Sequence, residues 1–362
     1  MGWMNERSRD LLKRFSEADG IPGHEDEVRG VMTDALSSVA EPKMDGHGGV
    51  TFEKKGKAEH PRVLYAGHMD EIGFIVKSIT DEGFIYMIPA GGWLDQALLT
   101  QRLAVHGSKG KVLGVVGAKP PHLTPPDKRG EMIKIRDMFL DVGAASKEDA
   151  MENLGIAPGD PITPVSSYEE LNGGKFLLGK AWDDRVGACL AAETLLDVGD
   201  DHPNTLIAAG TTGEEKGLIG AQAAAWSCEP DLAIVLEVGI TGGVPGVDTK
   251  EATEKCGEGV SIVFVESGAI PSPAFRRFAR QVATDEGIKF QDSFYESGGS
   301  DGAQISRFKS GVPYLLLAVP CRYVHTHNGL IASSDYEEAL KLCVALARKL
   351  DGQALESIRA RA

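Results

Sequence analysis

The sequence has no run approaching the roughly 18 consecutive apolar residues that a membrane-spanning helix requires, so no membrane partner is expected. Positive charge is in short supply, with 38 Lys and Arg against 53 Asp and Glu and a formal net charge of -15. That balance argues against a nucleic-acid partner, because phosphate binding relies on basic patches. Cysteine is sparse and scattered: Cys189, Cys228, Cys256, Cys321 and Cys343 are odd in number and contain no C-x-x-C pair. They read as reduced core thiols. The N-terminal "MGWMNERSRDLLKRF" carries charges where a signal peptide needs an apolar core, so the expected location is the cytoplasm. Aromatic residues make up only 6% of the chain, which leaves little for the sugar-stacking platforms of a glycosidase. Neither an internal repeat nor a long biased tract is present.

What is present is a globular composition. At 362 residues and 42% hydrophobic, the chain can bury a sizeable core as one large domain or two smaller ones. A helix is expected from Asn5 to about Ala18, and another over "EDEVRGVMTDALSSV" after the turn "GIPGHE". "RVLYAG" reads as a buried strand. From Gly73 the texture changes to two hairpins, "GFIVKSITDEGFIYMIP" and "QRLAVHGSKGKVLGVVG", then a polar loop, a strand "DMFLDVG" and a short helix from Ser146. Alternating helices and strands return after Gly174. They end in a helix "SDYEEALKLCVALARKL" with a capping box, Ser334 with Glu337, and a terminating Gly352. The expected fold is an α/β (αβα) sandwich around a mostly parallel sheet. Residues 1–72 and 175–362 would form this domain, and 73–174 a β-rich insert.

In open α/β sheets, ligands collect at the carboxyl ends of the strands. "RVLYAGHMD" ends in His68 and Asp70, "TLIAAGTTGEE" in Glu214 and Glu215, and "DLAIVLEVG" contains Glu237. "PYLLLAVPCRYVHTH" runs on to His325 and His327, and Asp183 and Asp184 sit where a helix begins. Taken singly, each has a bland reading. A strand-end carboxylate can be a turn or cap residue, Asp183 can favour a helix N-terminus, and His68 can be a satisfied core histidine. Together, separate segments deliver imidazoles and carboxylates to one sheet edge. That is a donor set suited to zinc, cobalt or manganese. Adjacent Glu214 and Glu215 point in different directions, so one can ligate while the other takes a proton. The proton comes from a water whose pKa a metal lowers from 15.7 to about 7. In H-x-D, Asp70 can orient the imidazole of His68.

These segments resemble the M42 metallo-aminopeptidases, the glutamyl aminopeptidase and tetrahedral (TET) peptidase group. The matching pieces, in order, are "GIPGHEDEV", "GHMDEIGFIV", "GGWLDQALLTQRLAV", "GVVGAKPPHL", "AWDDRVGA", "TTGEEKGLIGA", "SGGSDGAQI" and "VPCRYVH". The resemblance implies a catalytic domain interrupted by a β-rich dimerisation domain, peptide substrates, two divalent metal ions per subunit and homo-oligomers, often dodecameric. It makes His68 and Glu237 ligands of one metal, Glu215 and His325 ligands of the other, and Asp183 the bridge. Glu214 becomes the general acid/base and Asp70 the orienter of His68. It also implies a cis Asp183–Asp184 peptide and makes Asp301 either a pocket residue or a turn aspartate. By position, Arg322 and Tyr323 lie beside His325, where they can shape the pocket or an oligomer contact.

Three positions depart from the family pattern. Glu237 stands where Asp is usual, "THNG" with the extra His327 follows "RYVH", and "DGHGGV" replaces a D-x-x-G-N turn. If the chain stays extended there, His325 and His327 face the same way, and His325 is the expected ligand. Other readings keep part of this picture. A di-metal carboxypeptidase or amide deacylase would keep the fold and change the bond. An endoglucanase would need carboxyls about 5–9.5 Å apart around a sugar and would leave the histidines without a role. A non-catalytic peptide-binding paralogue would be expected to have lost a ligand or the base, and neither is missing.

Overall fold

The computed structural model describes residues 4–361; the first three residues of the N-terminal stretch lie outside them. The alternation of side chains along the central strands explains the layering. On the strand Arg62–His68, Val63 and Tyr65 join one core layer while Leu64 and Ala66 join another, as period-2 geometry requires. Fully apolar strands of this kind are buried on both faces. Four of them, Thr205–Thr211, Arg62–His68, Leu232–Ile240 and Tyr314–Arg322, run parallel side by side at the centre of an 11-stranded sheet. The flanking strands Val50–Lys55 and Gly329–Ala332 pair antiparallel to them. One layer is covered by helices including Glu6–Glu17, Trp182–Asp197 and Ser333–Lys349, and the other by Ile219–Cys228 and Gly302–Ile305.

A second core belongs to a closed six-stranded barrel of Gly73–Ile79, Ile85–Ala90, Leu140–Asp141, Gly110–Val116, Arg102–Gly107 and Pro161–Pro164. The chain rejoins the main sheet at Glu169–Leu171. No helix among the described residues is long and apolar enough to cross a membrane.

The first helix is capped as its sequence suggests, with the Asn5 side chain accepting from Ser8 N at 2.8 Å. The expected capping box at Ser334 and Glu337 is not formed. The helix starts at Ser333 with Ala332 before it and no side-chain cap, because the Ser333 hydroxyl instead donates to the Gly174 carbonyl. Gly352 does not end the chain's helices either. It opens a further one, Gly352–Arg359, capped by Asp351.

Below the sheet's carboxyl edge, Glu254 is wholly buried and accepts from Tyr295 OH at 2.9 Å. Burial pushes its carboxyl up to about 7, against the lowering effect of hydrogen bonds from Ser293, Tyr295 and Ser261. With the folded pKa above the unfolded value, the folded protein holds a proton that the unfolded chain releases. This contribution is complete below the unfolded value of about 4.5 and is lost as pH rises through about 7. Relative to wild type, Glu254→Gln is therefore expected to gain unfolding free energy from about pH 5 to about pH 8, by at most about 3 kcal/mol. Denaturant melts at the two pH values measure this, and a pH-independent difference would count against it.

Candidate metal centre

The helix Trp182–Asp197 lies directly on the strand Arg62–His68. A Cβ at Gly67 would stand 2.3 Å from Ala188 N, so only glycine permits this approach. The contact brings the helix start against His68. Arg185, fully buried, ties the two together by donating to Met69 O at 2.6 Å and to Glu71 at 3.2 Å. Asp183 and Asp184 have non-helical backbone, and the peptide between them is cis.

Asp183 lies between the two histidines. Its Oδ1 is 3.0 Å from His68 Nε2 and its Oδ2 is 3.3 Å from His325 Nε2. Glu215 Oε1 lies 3.2 Å from the same His325 nitrogen. Glu214 turns the other way, with Oε2 4.0 Å from His68 Nε2. Ligand atoms of His68, Asp184 and Glu237 come within 4.8 Å of one another, as do those of Asp183, Glu215 and His325. Asp184 had not been singled out as a ligand from the sequence. Its oxygens accept from His68 N at 3.1 Å and Gly187 N at 2.9 Å, so backbone amides already use it.

Each imidazole is fixed through its other nitrogen, the arrangement that orients histidine ligands. His68 Nδ1 donates to Asp70 O at 2.9 Å and His325 Nδ1 to Gly92 O at 2.8 Å. Asp70 acts differently from expectation. Its carboxylate is 3.5 Å from His68 Nδ1, and its hydrogen bonds are from Glu214 N at 3.1 Å and Glu215 N at 3.0 Å. It anchors the paired glutamates, while its backbone carbonyl orients the histidine. Buried Glu25 extends the anchor by one residue, accepting from Gly213 N at 3.2 Å and from Gly23 N at 2.8 Å. Three successive amides are thus held by two acids. The sequence offered only a helix-entry motif at Glu25.

The expectation that His325 and His327 share a face fails. The strand ends at Arg322, and Tyr323 and His325 take left-handed backbone angles of φ 62° and 59°. His325 turns into the acidic cluster. His327, 2% exposed, packs 5.3 Å from the Trp93 ring, away from the acidic cluster. Asp301 is also inside the protein, at 2% exposure, hydrogen-bonded to the Thr211 hydroxyl beneath the cluster. Burial pushes its carboxyl up to about 6. Arg322 lies along the cleft with its guanidinium 5.4 Å over the Phe176 ring.

The electrostatics describe a surplus of negative charge. Burial first, then the neighbouring carboxylates, raises Glu214 to about 9 and raises Glu215 and Glu237 as well. Burial alone would lower His325, yet hydrogen bonds to Asp183 and Glu215 raise it to about 11. His68 is also raised, and the two imidazoles hold Asp183 below the usual carboxylate range despite its burial. Protons on the histidines answer a charge imbalance that divalent cations would answer in their place. The two donor groups fit divalent cations. A cleft of about 770 Å³ opens on this cluster.

The family profile described as M42 glutamyl aminopeptidase matches residues 48–342. The chain belongs to the M42 family. It is a hydrolase of peptide bonds, and enzymes of the M42 family depend on metal. A glutamyl aminopeptidase of Lactococcus lactis subsp. cremoris is 31% identical over 361 residues, covering 97% of this chain and 98% of that protein. Among solved structures, the TET aminopeptidase of Thaumarchaeota archaeon SCGC AB-539-E09 superposes with a TM-score of 0.94 at 41% identity, covering 98% of this M42 chain and 99% of that one. The Pyrococcus horikoshii TET1 peptidase, which can assemble into a tetrahedron or a large octahedral shell, gives 0.85 at 32% identity over 95% and 100% of the two chains.

Proposed function

We propose that this chain is an aminopeptidase that removes N-terminal residues from short peptides at a two-metal centre. His68 and Glu237 would hold one ion and Glu215 and His325 the other, with Asp183 placed to serve both. The observation that carries the reading is the Asp183 carboxylate, whose two oxygens face separate imidazoles at 3.0 and 3.3 Å. The donor set favours zinc or cobalt and accommodates manganese. Such ions would polarise the scissile carbonyl and acidify the attacking water.

Within the protein, Glu214 accepts the proton as water adds to the carbonyl and passes it to the departing amine nitrogen. Asp70 and Glu25 keep the Glu214 backbone fixed while this happens. In Glu237 the extra methylene relative to Asp lengthens the reach of that ligand. The catalytic unit in this reading is the main-sheet domain, residues 1–72 and 175–362 together with the strand Glu169–Leu171, and the barrel within 73–174 serves dimerisation. The dodecamer and tetrahedral assembly of the Pyrococcus horikoshii peptidase support a homo-oligomer, up to a dodecamer, and dimer building blocks belong to this reading. In this reading the enzyme is cytoplasmic, and its acidic composition supports one that binds no nucleic acid.

The experiment is hydrolysis of paired free and N-acetylated short peptides by protein stripped with a chelator, then resupplied with zinc, cobalt or manganese. Metal-restored cleavage of the free peptides alone is expected. Cleavage of the blocked peptides instead would make the enzyme a carboxypeptidase or amide deacylase.

A further inference from the structure

The cleft beside the candidate metal centre has an uneven chemistry. Outside the histidine and carboxylate cluster, three of its polar side chains are turned into the protein, while Ser297 stays exposed. Thr241 Oγ1 donates to Cys321 O at 2.9 Å, Tyr295 OH to Glu254 at 2.9 Å, and Ser300 Oγ to Glu266 at 3.2 Å. The Arg322 guanidinium, the one formal charge of the lining beyond the cluster, is stacked over Phe176. Beside Ser297, most of what remains to face the cavity is apolar. Ile240 closes the strand Leu232–Ile240, and Val244 and Val247 follow it in the next loop. Tyr323 lies just past the end of the neighbouring strand.

Two of these stand well exposed at the cleft, Ile240 at 47% and Tyr323 at 56%. Large apolar side chains left in contact with water at the mouth of a cleft mark a ligand surface more often than a packing fault. They gain by covering apolar surface on a ligand. A charged side chain laid against these apolar residues would lose hydration that they do not replace, which is costly.

We propose that Ile240, Val244, Val247 and Tyr323 form the subsite for the substrate's N-terminal side chain, and that it selects large aliphatic or aromatic residues over acidic and basic ones. This rests on the aminopeptidase reading above. That reading says which bond is cut, and this inference says which residue is released. The wall also predicts how selectivity can be moved: a lysine on it supplies the partner that an acidic side chain lacks in the wild type.

The test is kcat/KM on a series of free-amine tripeptides that differ only in the first residue (Leu, Met, Phe, Glu or Lys), using the full-length metal-loaded protein. Leu, Met and Phe are expected to exceed Glu and Lys by about 10-fold or more. In Val244→Lys and, separately, Ile240→Lys, the Glu-to-Leu ratio is expected to rise by about 10-fold. A flat series, or one led by Lys, overturns the inference. So does a series led by Glu whose preference vanishes in Arg322→Met, because the guanidinium would then be the reader. An apolar preference that neither lysine variant alters also overturns it. Hydrolysis of none of the free-amine peptides would instead overturn the aminopeptidase reading, and this inference with it.

Discussion

Glu214→Gln is expected to lower kcat by about 10²- to 10⁴-fold, the range that a positioned proton-transfer group contributes. The argument is geometric. Glu214 leaves the strand Thr205–Thr211 beside Glu215, yet its side chain goes to the His68 side while Glu215 goes to His325. Its backbone amide is held by Asp70 at 3.1 Å, so the carboxylate is delivered from a fixed turn. Glutamine keeps the length and one acceptor oxygen but cannot carry a proton between water and amine. Metal content and KM should therefore stay near wild type while turnover collapses. Steady-state kinetics beside elemental analysis of the same preparation separate the two. A Glu214→Gln enzyme with wild-type turnover would remove Glu214 from the chemistry, and one that lost metal would make it a ligand.

Asp183→Asn is expected to cost activity and metal together. Partners that only orient metal ligands cost about 10- to 100-fold in affinity or activity, and a carboxylate shared by two sites should exceed that. Among the described residues, Asp183 is the one group reaching both Nε2 atoms, at 3.0 Å on one side and 3.3 Å on the other. Asparagine preserves the shape, so folding is retained, but it lacks the charge and the second equivalent oxygen. The expected result is a loss of more than about 100-fold in kcat/KM, with fewer ions retained after dialysis. Wild-type metal retention in Asp183→Asn would show that the two sites do not depend on a bridge.

Much of this arrangement was legible in the sequence because it follows local rules. Apolar strands that end at glycine turns place His68, Glu214 and Glu215 at one edge, and Glu237 sits near the end of a third strand. What escaped is tertiary. Glu25 has no local signature of function, since its role depends on a distant amide, Gly213 N. Asp70 looked like a histidine orienter through H-x-D spacing, but its carboxylate found two unpaired amides of another segment. His325 and His327 were read with strand periodicity, which stopped at Arg322 when the chain entered the left-handed region. The Ser334 capping box failed for a related reason. Its neighbour Ser333 is drawn to the Gly174 carbonyl of another strand connection. The inward turn of Thr241, Tyr295 and Ser300, which leaves the cleft wall mostly apolar, was likewise beyond reach of sequence spacing.

The central claim is a two-ion centre bridged by Asp183, and counting the ions tests it most directly. Metal-stripped wild-type protein would be titrated with zinc, dialysed, and its metal measured by elemental analysis against subunit concentration. The account predicts two ions per chain. A saturated value of one ion per chain, with full peptidase activity, would contradict it.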